Sequence, residues 1–226
     1  MFTNFAHSTP AGKAPLPRRE RERLRQREEL LAAALELFSE KGFHNVSMHE
    51  IARRAEYSVG TLYRFFKDKE DLYKALIRSR AERFHAQLKA VLDEADGQDV
   101  QTVLRRYIAA KAALLTGGAA MLRLYLAETR GASFNIRAGL DREILALYDD
   151  LIERLAGVFR LGIRRKVFRD LDPHAMAVAL ESLTNGFLQC WIEDPERHPY
   201  EKKIPLIVDM FSHGVLRGPA ASKRTG

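Results

Sequence analysis

Residues Ser47 to Phe66, SMHEIARRAEYSVGTLYRFF, carry side chains whose types and order suit the reading of a DNA groove. Val59, Gly60, Thr61, Tyr63 and Arg64 fall on one side of a short helical register, while Leu62 and Phe66, four apart, share the other. Gly60 lets a backbone come close, and Thr61 offers a methyl and a hydroxyl, the groups that meet base edges in a major groove. Two capped helices are needed to hold such a face. Ser47 ahead of Met48-His49-Glu50 makes an S-x-x-E capping box, a hydroxyl on one orphan N–H and a carboxylate on another. Ser58 caps the second helix. Ile51, Ala52 and Ala55 form a narrow apolar stripe, its alanines small enough for another helix to approach. The expectation is a helix-turn-helix, one helix in the major groove and one across the phosphate backbone.

The flanks extend this into a small helical unit. Leu31, Ala34, Leu35 and Phe38 follow the i, i+3, i+4, i+7 spacing of an amphipathic helix. Gly42 reads as its left-handed stop, with Phe43 as the hydrophobic contact that follows. Asp68 caps a further helix, with Asp71 three residues on, and Leu72, Leu76 and Phe84 continue its apolar stripe.

Over Arg25 to Leu76 the chain resembles the DNA-binding domain of TetR-family transcriptional regulators, most specifically in LFSEKGF, IARRA and GTLYRFFKDKEDL. The resemblance implies an all-α homodimeric repressor that a small ligand releases from a palindromic operator. It implies a DNA-binding set of Ser47, His49, Ser58, Val59, Gly60, Thr61, Tyr63, Arg64 and Lys69. Within it Gly60 and Thr61 approach bases, and Tyr63 and Lys69 hold phosphates. Three positions depart from the family pattern. Glu56 and Tyr57 stand where the turn usually has Gly then Val, Val59 stands where Lys is frequent, and Phe65 where His or Tyr is.

Composition fits that reading. The 226 residues are 46% hydrophobic and 30% charged, with a net charge of +7. Residues 1–80 hold sixteen basic and eleven acidic side chains, so most of the excess lies in the third of the chain expected to face DNA. Cys190, the only cysteine, excludes an intrachain disulfide and is expected as a packed core thiol. No apolar run is long enough to span a bilayer, and the first seventeen residues lack a signal peptide's apolar core, so a cytoplasmic location is expected and no membrane. No Gly-rich phosphate loop, H-E-x-x-H or metal-ligand spacing of histidines occurs. Neither an enzyme nor a cofactor is therefore expected.

The expected fold class is all-α: an N-terminal three-helix helix-turn-helix domain plus a larger C-terminal helical bundle for dimerisation and ligand binding. The boundaries read as a disordered extension at 1–17, the DNA-binding domain at 18–80, the larger domain at 81–217 and a flexible tail at 218–226. Residues 18–27 read as a solvated, charge-rich helix start or as a basic arm reaching phosphate or a minor groove. Further helices are expected over Val100–Leu115, Ala119–Glu128, from about Asn135 or Asp141 to Arg160, His174–Glu193 and Tyr200–Leu216, with Asp172-Pro173 as cap and first helical residue. The last two are apolar beyond the needs of one layer, which points to Leu183, Phe187, Ile207 and Phe211 as a dimer interface. Polar groups within apolar stretches, Tyr107, Arg123, Tyr125, Glu128, Tyr148, Asn185, Gln189 and Trp191, suit a pocket for a small, mostly apolar effector. The expected partners are double-stranded DNA, that effector and a second copy of the chain. The alternatives are a helical enzyme or carrier of hydrophobic molecules, and a ligand-independent DNA-binding regulator.

Overall fold

The computed structural model describes residues 16–118 and 142–216. These form eight α-helices: α1 (Arg18–Lys41), α2 (Met48–Arg54), α3 (Val59–Tyr63), α4 (Lys69–Asp93), α5 (Val100–Gly117), α6 (Arg142–Arg164), α7 (Pro173–Glu193) and α8 (Tyr200–Val215). A 3₁₀ turn, Glu94–Gly97, joins α4 to α5. The described residues contain no strand beyond one antiparallel bridge, Phe168 with Leu216. None of their helices is long and apolar enough to cross a membrane.

Apolar side chains gather into two cores. The first runs from Leu30 to Leu76 and takes in Leu37, Phe38, Ile51, Leu62 and Leu72. Each such buried side chain contributes about 1.5–3 kcal/mol relative to exposure. The second runs from Leu88 to Val215 and is built from α5 to α8 and the end of α4. The helix α4 belongs to both, through Leu72 and Leu76 at one end and Leu88 and Leu92 at the other. It is also pinned to α6 by a polar seam. Arg78 pairs with Glu143 at 2.7 Å, His85 Nε2 lies 2.6 Å from Asp150, and Arg154 pairs with Asp93 at 2.6 Å. Arg83 meets Glu28 of α1 at the other flank.

The helix ends follow local chemistry. Ser47 and Glu50 form the capping box, and Ser58, Asp68, Asp99 and Asp172 each accept a backbone N–H at their own helix start. The α1 stop departs from expectation. Gly42 has φ +78° but ψ 156°, an extended mirror conformation open to glycine rather than the left-handed helical one. The left-handed position belongs to Glu56 instead, at φ +60°. There Tyr57 N–H bonds Ala52 C=O and Glu56 N–H bonds Arg53 C=O, the paired bonds of a Schellman stop. Lys166 does the same after α6, at φ +61°.

A charged cluster sits inside the second core. Lys111 on α5 is 2% exposed and donates to Glu181 Oε2 at 2.8 Å, Thr184 Oγ1 at 2.7 Å and Asn185 Oδ1 at 2.9 Å. All three ammonium donors are thus used. Tyr107 OH donates to the other Glu181 oxygen at 2.7 Å, and burial, then the Glu181 charge, hold its phenol well above the ordinary range. Satisfied on every side, the pair locks α5 against α7. Removing one partner from such a pair costs about 3–5 kcal/mol, because a lone charge stays buried.

Two expectations are corrected here, those for Ile207 and Phe211 and for Cys190. Ile207 is 0% exposed and Phe211 9%, so both serve the core of one chain rather than an interface. Leu183 and Phe187 are half-buried: each packs on the same core and keeps part of its surface outside, where an interface residue can stand. Cys190 is exposed, not a packed core thiol, because it falls off the buried stripe of α7 that carries Ala177, Leu180, Glu181, Thr184 and Leu188. The expected extension at 1–17, apart from its last two residues, the helix Ala119–Glu128 and the tail from 218 lie outside the described residues.

Candidate nucleic-acid interface

α1, α2 and α3 cross over one apolar centre, and the face left outward is that of α3. Leu62 and Phe66 turn inward at 0% and 2% exposure. Ser58, Gly60, Tyr63 and Arg64 are exposed, Val59 and Thr61 half-buried. Tyr63 is a large ring held half in solvent, at 50% exposure, with nothing in the chain's own core to cover it. A Cβ added at Gly60 would meet only Ser58 Oγ, at 3.8 Å. The chain's own packing therefore does not call for glycine there, and the open space lies outside. Ser58 Oγ accepts from Thr61 N–H at 3.1 Å and lies 2.9 Å from Thr61 Oγ1, so the cap also orients the Thr61 hydroxyl.

Ser47 and His49 are exposed at the start of α2. Ser47 is spent on its cap: its N–H donates to Glu50 Oε2 at 2.9 Å, and its Oγ accepts from Glu50 N–H. Lys41 reaches the same carboxylate at 2.9 Å. That pair, then the Ser47 bonds, draw the Glu50 carboxyl down to about 2. α2 is tied to α1 a second time by Arg54, which pairs with Glu36 and Glu40 at 3.1 and 3.2 Å. The turn before α3 is tied by Tyr57, whose hydroxyl donates to Glu29. The face is therefore held rigidly, as a surface that reads another rigid surface requires.

Lys69 has a different post from the one expected. Its ammonium donates to the carbonyls of Phe43 at 2.8 Å, Val46 at 3.0 Å and His44 at 3.4 Å, and lies 4.6 Å over the Phe43 ring. Those bonds tie the first residue of α4 to the α1–α2 loop. An ammonium so engaged is a clamp within the fold rather than a free phosphate donor.

Among the described residues, those expected to line an effector pocket have the following places. Tyr107 is buried on Glu181, Asn185 accepts from Lys111, and Gln189 bonds Glu193 at the surface. Tyr148 and Trp191 are half-buried against the second core. Arg123, Tyr125 and Glu128 lie outside the described residues. A hollow bordered by Leu104, Ile108, Phe168 and Phe211 measures about 10 Å³, room for one water at most. Sequence reading passed over Lys111. Its signal was a lysine four residues from Tyr107 on the apolar face of α5, matched by Glu181 on an equally apolar helix.

Comparison with known proteins agrees with this geometry. The family model of the bacterial regulatory proteins of the tetR family matches residues 30–76. The HTH-type transcriptional regulator UidR of Escherichia coli (strain K12) is 42% identical over 67 residues, 30% of this chain and 34% of that protein. The fatty acid metabolism regulator protein of Bacillus subtilis (strain 168) is 21% identical over 188 residues, 83% of this chain and 94% of its own length. The chain thus spans about a third of the more identical relative's length. SmeT, the repressor of the Stenotrophomonas maltophilia multidrug efflux pump SmeDEF, superposes with a TM-score of 0.67 at 22% identity, covering 84% of this chain and 90% of SmeT. The regulator FadR from Bacillus subtilis in complex with stearoyl-CoA gives 0.66 at 20% identity, covering 83% and 98%. At those identities the likeness is one of fold.

Proposed function

From its place in the tetR family of bacterial regulatory proteins, to which this chain belongs, we propose that it is a DNA-binding transcriptional regulator, a dimeric repressor of a palindromic operator. The observation that carries the reading is the outward face of α3. Gly60 and Tyr63, with Arg64 at its end, are exposed and Thr61 is half-buried on a helix whose Leu62 is fully buried. Such a helix enters a major groove with Gly60 and Thr61 toward base edges and Tyr63 and Arg64 toward phosphates. Two copies present two such helices, and a palindrome matches their two-fold symmetry. The reading carries a cytoplasmic location with it.

Release by a small, mostly apolar molecule is the second half of the proposal. The neighbour solved with stearoyl-CoA supports it, as does the helical bundle that α4 joins to the DNA-facing core. A ligand acts here only by preferring one dimer geometry over another. The test is selection of duplexes from a random pool, followed by a gel-shift titration of wild type and Thr61→Val on the recovered site. The expected result is one symmetric consensus for wild type, and for the variant a change in preference worth about 1–3 kcal/mol at one base pair per half-site. A chain that enriches no duplex sinks the regulator reading. A variant with the wild-type consensus removes Thr61 from the base-reading set.

A further inference from the structure

α1 is longer than its core requires. Its first buried residue is Leu30, and Gln26 to Glu29 are half-buried, Arg27 over the Phe66 ring, Glu28 on Arg83 and Glu29 on Tyr57, so the eight exposed residues Arg18 to Arg25 project beyond the first core. That overhang is about 12 Å of helix. A helix of this length without packing is marginal in water, and like charges four apart weaken it further. Yet residues 18–27 contain six arginines against two glutamates. Arg25 is paired with Glu22 and Glu29, and Arg27 with Glu28. Arg19, Arg21 and Arg23 are exposed, and among the described residues no ion pair engages them.

Two of these arginines point at the proposed reading head. Arg19, Arg23 and Gln26, on one face of α1, border an open groove of about 740 Å³ whose other wall is Arg64 and Phe65, just past the end of α3. Glu20 and Glu22 also border it. Glu22 stays ionised there, its carboxyl drawn below the ordinary range by the hydrogen bond from Arg25, which also balances its charge. Three guanidinium-bearing side chains thus converge on a groove, and among the described residues no carboxylate is bound to any of them. In isolation that arrangement is repulsive. It becomes favourable when a polyanion lies between the walls.

We infer that the overhang of α1 is a second DNA contact, seating the phosphate backbone beside each half-site in the groove between Arg19 and Arg23 on one wall and Arg64 on the other. This rests on the regulator reading above and extends it. Double-stranded DNA is the occupant because the groove adjoins the exposed face of α3 and matches its charge. An overhang about 12 Å long runs past about three phosphates of one strand. The overhang reads no sequence: arginine to phosphate fixes position and register, while base choice stays with α3.

The experiment compares wild type, Arg19→Ala/Arg23→Ala and Arg19→Lys/Arg23→Lys on the operator duplex recovered by selection. It uses fluorescence anisotropy over a series of salt concentrations and hydroxyl-radical footprinting. Both double variants alter exposed side chains outside the cores, and circular dichroism checks that each stays helical. For the alanine variant, the slope of log affinity against log salt is expected to fall in magnitude by about 0.9 for each phosphate no longer neutralised, about 1.8 per chain. Its footprint should shrink at the flanks of each half-site, with central protection and base consensus kept. The lysine variant should keep the wild-type slope. An alanine variant with wild-type slope and footprint overturns the inference while leaving α3 as the DNA reader. Weaker binding with an unchanged slope overturns it as well. Failure of wild type to bind any duplex would instead count against the regulator reading.

Discussion

Gly60 is set apart from its neighbours on α3 by having space around it that the chain does not use. Alanine there should leave the fold intact, and helix propensity favours alanine by up to about 1 kcal/mol. Gly60→Ala is therefore expected to melt at the wild-type temperature or above it while binding operator more weakly. Equal operator affinity would show that nothing approaches this position closely. Lys69 calls for the opposite pattern. Its ammonium bonds three loop carbonyls, and charged hydrogen bonds of this kind contribute about 1.5–3 kcal/mol. Lys69→Ala should lower the melting temperature and weaken DNA binding, with the salt slope unchanged. A lowered slope at full thermal stability would return Lys69 to the phosphate-holding set. The sequence identified Lys69 as functional by its place in a motif. It could not reveal the three carbonyls, because they lie between 23 and 26 residues away and converge only after the α1–α2 loop has folded.

At the scale of helices, the caps were legible because capping is local: Ser47, Ser58, Asp68 and Asp172 do what their spacing announced. The capping box also sets a pH dependence. The Glu50 carboxyl titrates near 2 in the fold, below its ordinary value of 4.5. Its contribution is therefore complete above about pH 4.5 and fades as pH falls through about 2. Glu50→Gln keeps a side chain able to accept from the Ser47 N–H but loses the charge opposite Lys41. Its melting temperature should lie below wild type at neutral pH, and the two curves should converge near pH 2. A gap that stays constant over that range would exclude the Glu50 charge as its source. The turn between α2 and α3 was legible only as a departure: Glu56 accepts a left-handed backbone, at a cost of about 1–2 kcal/mol, where glycine would sit freely. The lock between α5 and α7 was not legible, since pairing Lys111 with Glu181 needs the packing of two helices across a separation of 70 residues.

For the molecule as a whole, amphipathic spacing made the all-α architecture legible, but it did not separate core from contact surface. On α7 and α8 most positions are apolar or small, so periodicity alone chose Ile207 and Phe211, which the fold buries. The large apolar side chains left outside on these two helices are Val178 at 40%, Leu206 at 43% and Met210 at 51% exposure. A second copy of the chain is the proposed cover for that face. Val178→Glu and Met210→Glu should give folded monomers by sedimentation and circular dichroism, because neither charge enters a core. Ile207→Glu should fail to fold, since it buries an unpaired charge. Fully dimeric Val178→Glu and Met210→Glu proteins would move the interface elsewhere.

The shared helix α4 has a geometric consequence. From Leu92 to Lys69 it measures about 35 Å, so turning it by about 5° about its far end carries the near end through about 3 Å. Two-fold symmetry turns the second copy the opposite way, and the separation of the two reading helices then changes by up to about 6 Å. Successive major grooves on one side of a duplex recur at a fixed interval of about 34 Å, and the duplex cannot stretch to follow. A rotation smaller than the width of one side chain, made wholly inside the second core, is enough to put the two copies out of step with the helical repeat of the DNA.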